Sequence, residues 1–127
     1  MTETQVADLL LQLDVNKAHG ADGIPARILK ECADVIAPSV CYLFNKSLCI
    51  GVFPSQWKLA HVMPIHKKGN KEFISNYRPV SLLCVLSKVL ERCVFKRLLS
   101  HLSSVLQDIQ HGFMKGRSAV TQLLCFA

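Results

Sequence analysis

A chain of 127 residues suffices for one ordinary domain with a moderate core, and its composition, half hydrophobic and 19% charged, excludes a disordered chain. Its net charge of +6 is uneven: residues 58–117 hold eleven Lys and Arg against three acids, a net of +8, while the first 57 residues hold four cations against six acids, a net of −2. That asymmetry favours a polyanionic partner, and charge-free stretches of at most eleven residues exclude a membrane-spanning helix, which needs about 20.

The first expected element is a helix. Val6, Leu9, Leu10 and Leu13 repeat at i, i+3, i+4 and i+7, and Thr2 with Gln5 makes a capping box, so the helix runs to about Asp14. Residues 15–24 carry Gly20 and Gly23 and read as a loop. Pro25 suits the first turn of a second helix whose apolar face is Ile28, Leu29, Cys32, Val35 and Ile36. Pro38 is expected to interrupt that helix and open the next. There Val40, Leu43, Phe44 and Leu48 form the buried stripe, and Gly51 marks the stop.

After Pro54 the period changes. Residues 60–65 are apolar and rich in β-formers, residues 79–83 look like their returning antiparallel partner, and the polar link 67–76 reads as a mobile hairpin tip. From Val85 a long helix follows, with Leu86, Leu90, Val94, Leu98 and Leu102 stepping by four. Its opposite face carries Lys88, Arg92, Lys96 and Arg97 and reads as solvated, with Glu91 as local ion-pair partner. A last helix begins near Ser118. The sequence ends inside an apolar stretch, residues 120–127, and so reads as part of something larger. The expected architecture is α+β, mainly helical, with one short antiparallel hairpin, in a single partial domain over residues 1–127.

No basic segment followed by an apolar core opens the chain, so an intracellular setting with reduced cysteines is expected. The six cysteines (Cys32, Cys41, Cys49, Cys84, Cys93, Cys125) contain no Cys-x-x-Cys and the five histidines no His-x-x-x-His. Zinc is therefore not expected, and the cysteines read as small core hydrophobes.

The cations fall in an ordered series of blocks. These are Pro64-Ile65-His66-Lys67-Lys68-Gly69, Asn76-Tyr77-Arg78-Pro79-Val80-Ser81-Leu82-Leu83, Ser87-Lys88-Val89-Leu90-Glu91-Arg92 and Gln110-His111-Gly112-Phe113, preceded by Trp57-Lys58 and by Lys17-Ala18-His19-Gly20-Ala21-Asp22-Gly23-Ile24-Pro25. In this order and spacing they resemble the reverse transcriptases of non-LTR retrotransposons, especially jockey-like elements, from about Asn16 to the last residue. One departure is His19-Gly20-Ala21, where the family has a Pro-Gly-Pro-like stretch. The resemblance implies the fingers and the start of the palm of a right-hand polymerase fold. It also implies an RNA template or RNA–DNA duplex, a deoxynucleotide triphosphate and the remainder of the palm as partners, with no membrane.

Within that resemblance, Lys67 and Arg78 are expected to hold the triphosphate of the incoming nucleotide, a task that suits an ammonium point charge and a fork-shaped guanidinium. By itself Lys67 also reads as a solvated turn lysine, and Lys68 is an equal neighbour. Gln110, Gly112 and Phe113 read in two ways: as a close approach to the template strand, or as a turn whose Phe113 plugs the core. Lys115 and Arg117 would add phosphate contacts, which position nucleic acid without reading its sequence.

DNA synthesis in the family uses two metal ions held by aspartates from palm blocks, so magnesium is expected for a complete enzyme. The nine acids here are scattered, no two are adjacent and none lies beyond Asp108. No cofactor, metal ligand or catalytic residue is therefore assigned to this chain, and alone it is expected to be inactive. Two readings of function stand side by side. One is a fragment of an RNA-directed DNA polymerase contributing nucleotide and template contacts; the other is a non-catalytic helical interaction or structural remnant of a decayed element.

Overall fold

The computed structural model describes residues 1–102, 105, 111, 112, 114 and 116–124. The architecture is α+β and mainly helical: α1 (Glu3–Leu11), α2 (Ala26–Glu31), α3 (Ala33–Ile50), β1 (Ala60–His66), β2 (Tyr77–Leu83), α4 (Val85–Leu102) and α5 (Ala119–Leu124). Two compact units divide it, Met1–Val94 and Phe95–Ala127, with the boundary inside α4.

Helix α1 starts where the sequence places it. The Thr2 hydroxyl accepts from the Gln5 N–H while the Gln5 side chain accepts from the Thr2 N–H, so two end donors are satisfied reciprocally. Val6, Leu9, Leu10 and Leu13 are buried as the period requires.

The next helices differ from expectation. The break falls at Cys32, which ends α2 and begins α3, and Pro38 lies inside α3 on its exposed side. The expected face of Ile28, Cys32 and Val35 is exposed, Val35 by 82%, and only Leu29 of that set is fully buried. The reason is the stripe created by starting α3 early. Ala33, Ala37, Val40, Cys41 and Phe44 fall on one helical face and all are buried, which offsets the hydrogen bond that Pro38 cannot donate. Leu43 and Leu48, expected in that stripe, are exposed. Gly51 closes α3 in the left-handed region at φ +67°, where only glycine is unstrained.

The core of the first unit joins α1 and α3 to Leu29, Trp57 and the start of α4. Phe44, fully buried, meets Trp57 edge-on at 5.7 Å between ring centroids, and Phe53 meets Trp57 edge-on at the same distance. Cys84 begins α4 as a sulfur cap: its Sγ accepts from the Ser87 N–H at 3.4 Å, and the Ser87 hydroxyl donates to the Cys84 carbonyl at 2.9 Å. Cys41, Cys84 and Cys93 are core residues as expected, whereas Cys32 and Cys49 are exposed.

Helix α4 buries Val85, Val89, Leu90 and Cys93; of the row stepping by four, Leu90 is buried and Leu86 and Val94 are half-buried against the core. Each step of four advances 40° beyond a full turn, so the four steps from Leu86 to Leu102 carry the row about 160° around the helix. Leu98 and Leu102 accordingly end up exposed. Glu91 makes no ion pair; among the described residues the one ion pair is Arg27–Glu31 at 2.7 Å.

The loop between α1 and α2 is held by a close backbone approach. A Cβ on Gly20 would lie 2.5 Å from the Leu83 carbonyl carbon and 2.6 Å from Cys84 Cα, so only glycine lets this loop rest on the β2–α4 junction. Among the described residues no helix is long and apolar enough to cross a membrane.

Candidate functional site

The strands β1 and β2 pair antiparallel as expected, with Ile65 opposite Arg78, Pro64 opposite Pro79 and His66 opposite Tyr77. Beyond β1 the ladder continues one step, the Lys67 N–H donating to the Asn76 carbonyl at 2.8 Å. Bonded and non-bonded pairs alternate along such a ladder. The pairs 67/76 and 65/78 are therefore bonded, and Pro64/Pro79 falls in a non-bonded pair. Two opposed prolines leave the ladder intact only there, since neither has an N–H to give. Their rings replace the outward N–H groups, which closes both edges to a further strand at that level.

The same register fixes the candidate cations. Side chains alternate across a strand with period two, so Ile65 and Lys67 share a face, and Arg78, opposite Ile65, shares it too. Lys67 and Arg78 are thus diagonal cross-strand neighbours, about 7–8 Å apart, well within the reach of both long side chains toward one ligand. Both are exposed, and neither side chain has a hydrogen bond or ion pair among the described residues.

The tip between them is closed by its own side chains. Gly69 turns the chain at φ +82°, and its carbonyl lies 2.9 Å from His66 Nε2. Asn76 Nδ2 donates to the Asn70 carbonyl at 2.7 Å, the Tyr77 hydroxyl donates to the Lys71 carbonyl at 2.9 Å, and the His66 and Tyr77 rings meet edge-on at 5.4 Å. The tip bears Lys67, Lys68, Lys71 and, across the ladder, Arg78 against the single acid Glu72, whose carboxylate accepts from Asn70. What the hairpin offers is a cationic edge on a two-stranded ribbon. His66, Gly69, Asn76 and Tyr77 were not assigned a role from sequence, though all four lie within the quoted blocks.

The second expected group divides. Gln110, Phe113 and Lys115 lie outside the described residues. Gly112 sits in an exposed turn and Arg117 is half-buried, its N–H donating to the Met114 carbonyl at 3.2 Å. His111, within the same block, is buried with Nδ1 2.8 Å from the Thr121 hydroxyl, which also accepts from the Ser118 N–H at the start of α5. In this second unit the block therefore supplies a structural anchor through His111.

No protein-family model matches the chain. Curated relatives do. A probable RNA-directed DNA polymerase from transposon BS of Drosophila melanogaster is 34% identical over 122 residues, covering 94% of this chain and 14% of that protein. The RNA-directed DNA polymerase from mobile element jockey of the same fly is 32% identical over 126 residues, covering 97% of this chain and 14% of that protein. A probable RNA-directed DNA polymerase from its transposon X-element is 35% identical over 122 residues, covering 94% and 13%. The chain thus spans about 14% of the length of such relatives.

Proposed function

We propose, from the premise that this chain belongs to the family of RNA-directed DNA polymerases of jockey-like mobile elements, that it acts as the fingers and start of the palm of such an enzyme. Its hairpin holds the triphosphate of an incoming nucleotide. The observation that carries this reading is the register that sets Lys67 and Arg78 on one face of the ribbon, with no side-chain partner among the described residues. The Arg78 guanidinium can grip two phosphate oxygens at once, and the Lys67 ammonium adds a compact charge beside it. Together they would offset negative charge on the leaving diphosphate, positioning and stabilising without forming a bond to the nucleotide.

Template contacts fall to Gln110, Gly112, Phe113, Lys115 and Arg117 in this reading, and the strand to be copied is RNA. The remainder of the palm is the expected neighbour of the hairpin, where Val62, Met63 and Ile65 are 59%, 51% and 42% exposed on a ribbon of only two strands. Among the described residues no three His, Cys, Asp or Glu side chains gather as a metal site needs. These residues do not fit a magnesium pair.

The test is nucleotide binding by the whole 127-residue chain. Arg78→Gln is expected to weaken binding of a deoxynucleotide triphosphate about tenfold, the loss of one charge-assisted contact, with an unchanged circular dichroism spectrum. Lys58→Gln, which removes a cation outside the hairpin, should leave affinity as it was. Equal affinity of Arg78→Gln and the parent would end this assignment.

A further inference from the structure

Helix α4 carries a row of cations that looks solvated in the sequence, yet two of them are drawn into a tertiary cluster. Lys88 and Arg92, one helical turn apart, line a small cavity together with Lys17 from the loop after α1. Leu13, Asp14, Ala18, Ala26 and Val85 complete its wall. Lys17 and Lys88 are 71 positions apart, and the Gly20 contact with the β2–α4 junction brings their segments together.

The charges do not cancel. Lys88 is half-buried, and none of the three cationic side chains has a hydrogen bond or ion pair among the described residues. Asp14 Oδ1 accepts from the Asn16 N–H at 3.0 Å, and its carboxylate forms no ion pair with the neighbouring cations. Lys30 does not line the cavity, and its ammonium donates to the Leu13 carbonyl at 3.2 Å. Three cations against the one carboxylate of Asp14 leave a net positive charge on the cavity, which a bound anion offsets. Val85 is the first residue of α4, so the positive end of that helix adds to the same potential.

Size selects the anion. The cavity is about 30 Å3, room for two or three water-sized atoms at roughly 10–15 Å3 each, which suits the two non-bridging oxygens of a phosphodiester and is too small for a base or sugar. We propose that Lys17, Lys88 and Arg92 form a phosphate-binding subsite, separate from the Lys67/Arg78 hairpin, that takes a backbone phosphodiester of bound nucleic acid. It rests on the reading that this chain meets nucleic acid. Its role is to fix the strand's path past the base of α4, without base preference, as phosphate contacts do.

The experiment measures binding of a fluorescein-labelled 12-nucleotide single-stranded RNA to the full chain across a salt series. Lys17→Gln with Arg92→Gln should lower the slope of log affinity against log salt by roughly 1.4, two contacts at ~0.7 each. Lys96→Gln with Arg97→Gln, the same charge change farther along α4, should lower it by less than half as much. Amide NMR shifts of Ala18 and Val85 should move on RNA addition in the parent and not in the Lys17/Arg92 variant. Equal slopes for the two double variants would overturn the subsite, as the effect would then follow net charge alone. Saturation by inorganic phosphate without any RNA-induced shift would overturn the backbone assignment in favour of a free anion. No RNA binding by the parent would fail the nucleic-acid reading itself, and the subsite with it, an outcome distinct from normal parental binding that the variants leave untouched.

Discussion

The hairpin and the Lys17–Lys88–Arg92 cavity place cations in opposite ways. In the hairpin, register does everything: Lys67 and Arg78 are eleven positions apart and share a face because strands alternate with period two. In the cavity, cations 71 positions apart meet because a glycine lets one loop lie on the β2–α4 junction. The first arrangement depends on local pairing and carries almost no core. The second depends on the packing of the whole first unit. Damage to the core should therefore erase the cavity and spare the hairpin's own logic, and damage to the tip should do the reverse.

The largest expected effect comes from Phe44, fully buried against Trp57. Phe44→Ala should cost about 3–5 kcal/mol of stability, read as a large fall in the urea midpoint, and would abolish both sites if the hairpin cannot stand without the core. Retained triphosphate binding by that variant would show the hairpin to be independent, sharpening the contrast further.

Gly20→Ala addresses the cavity directly. The added methyl meets backbone rather than a flexible side-chain end, so the loop must lift, at about 1–3 kcal/mol. The salt slope for RNA should fall as in the Lys17/Arg92 variant, while triphosphate binding at the hairpin stays at the parental level. Equal losses at both sites would break the proposed separation.

Gly69→Ala is the counterpart at the tip. Its φ of +82° and the approach of Asn76 Nδ2 to within 2.8 Å of the new Cβ penalise any side chain, by about 1–2 kcal/mol. Triphosphate affinity should drop and the RNA salt slope should hold, with amide exchange accelerated at the tip and unchanged in α3. The smallest effect belongs to Thr2→Ala, which removes the capping box of α1 for about 1 kcal/mol. A midpoint shift without change in either ligand is expected; a change in triphosphate binding would mean that α1 and the hairpin are coupled.

Much of this molecule was legible because its signals are local. The capping box at Thr2 and Gln5, the stop at Gly51 and the antiparallel pairing of residues 60–65 with 79–83 all rest on residues close in sequence. So does the placement of Lys67 and Arg78 at one hairpin. The family blocks could be read for the same reason, as short runs in a fixed order. What they could not convey is the side-chain closure of the tip by His66, Asn76 and Tyr77, which needs the register first.

Burial, by contrast, was decided in three dimensions. Pro38 promised a helix break, yet the break moved to Cys32 because an uninterrupted stripe from Ala33 to Phe44 buries more surface against α1 than a proline-led start would. The far end of the leucine row of α4, Leu98 and Leu102, rotated out of the core because a step of four does not match 3.6 residues per turn. The same rotation left Lys88 half-buried beside Lys17, and no period or motif records that meeting. Sequence determined which segments are helix, turn and strand, since those depend on neighbours along the chain. Tertiary structure alone decided which faces turn inward and which cations converge, since those depend on what each face finds opposite it.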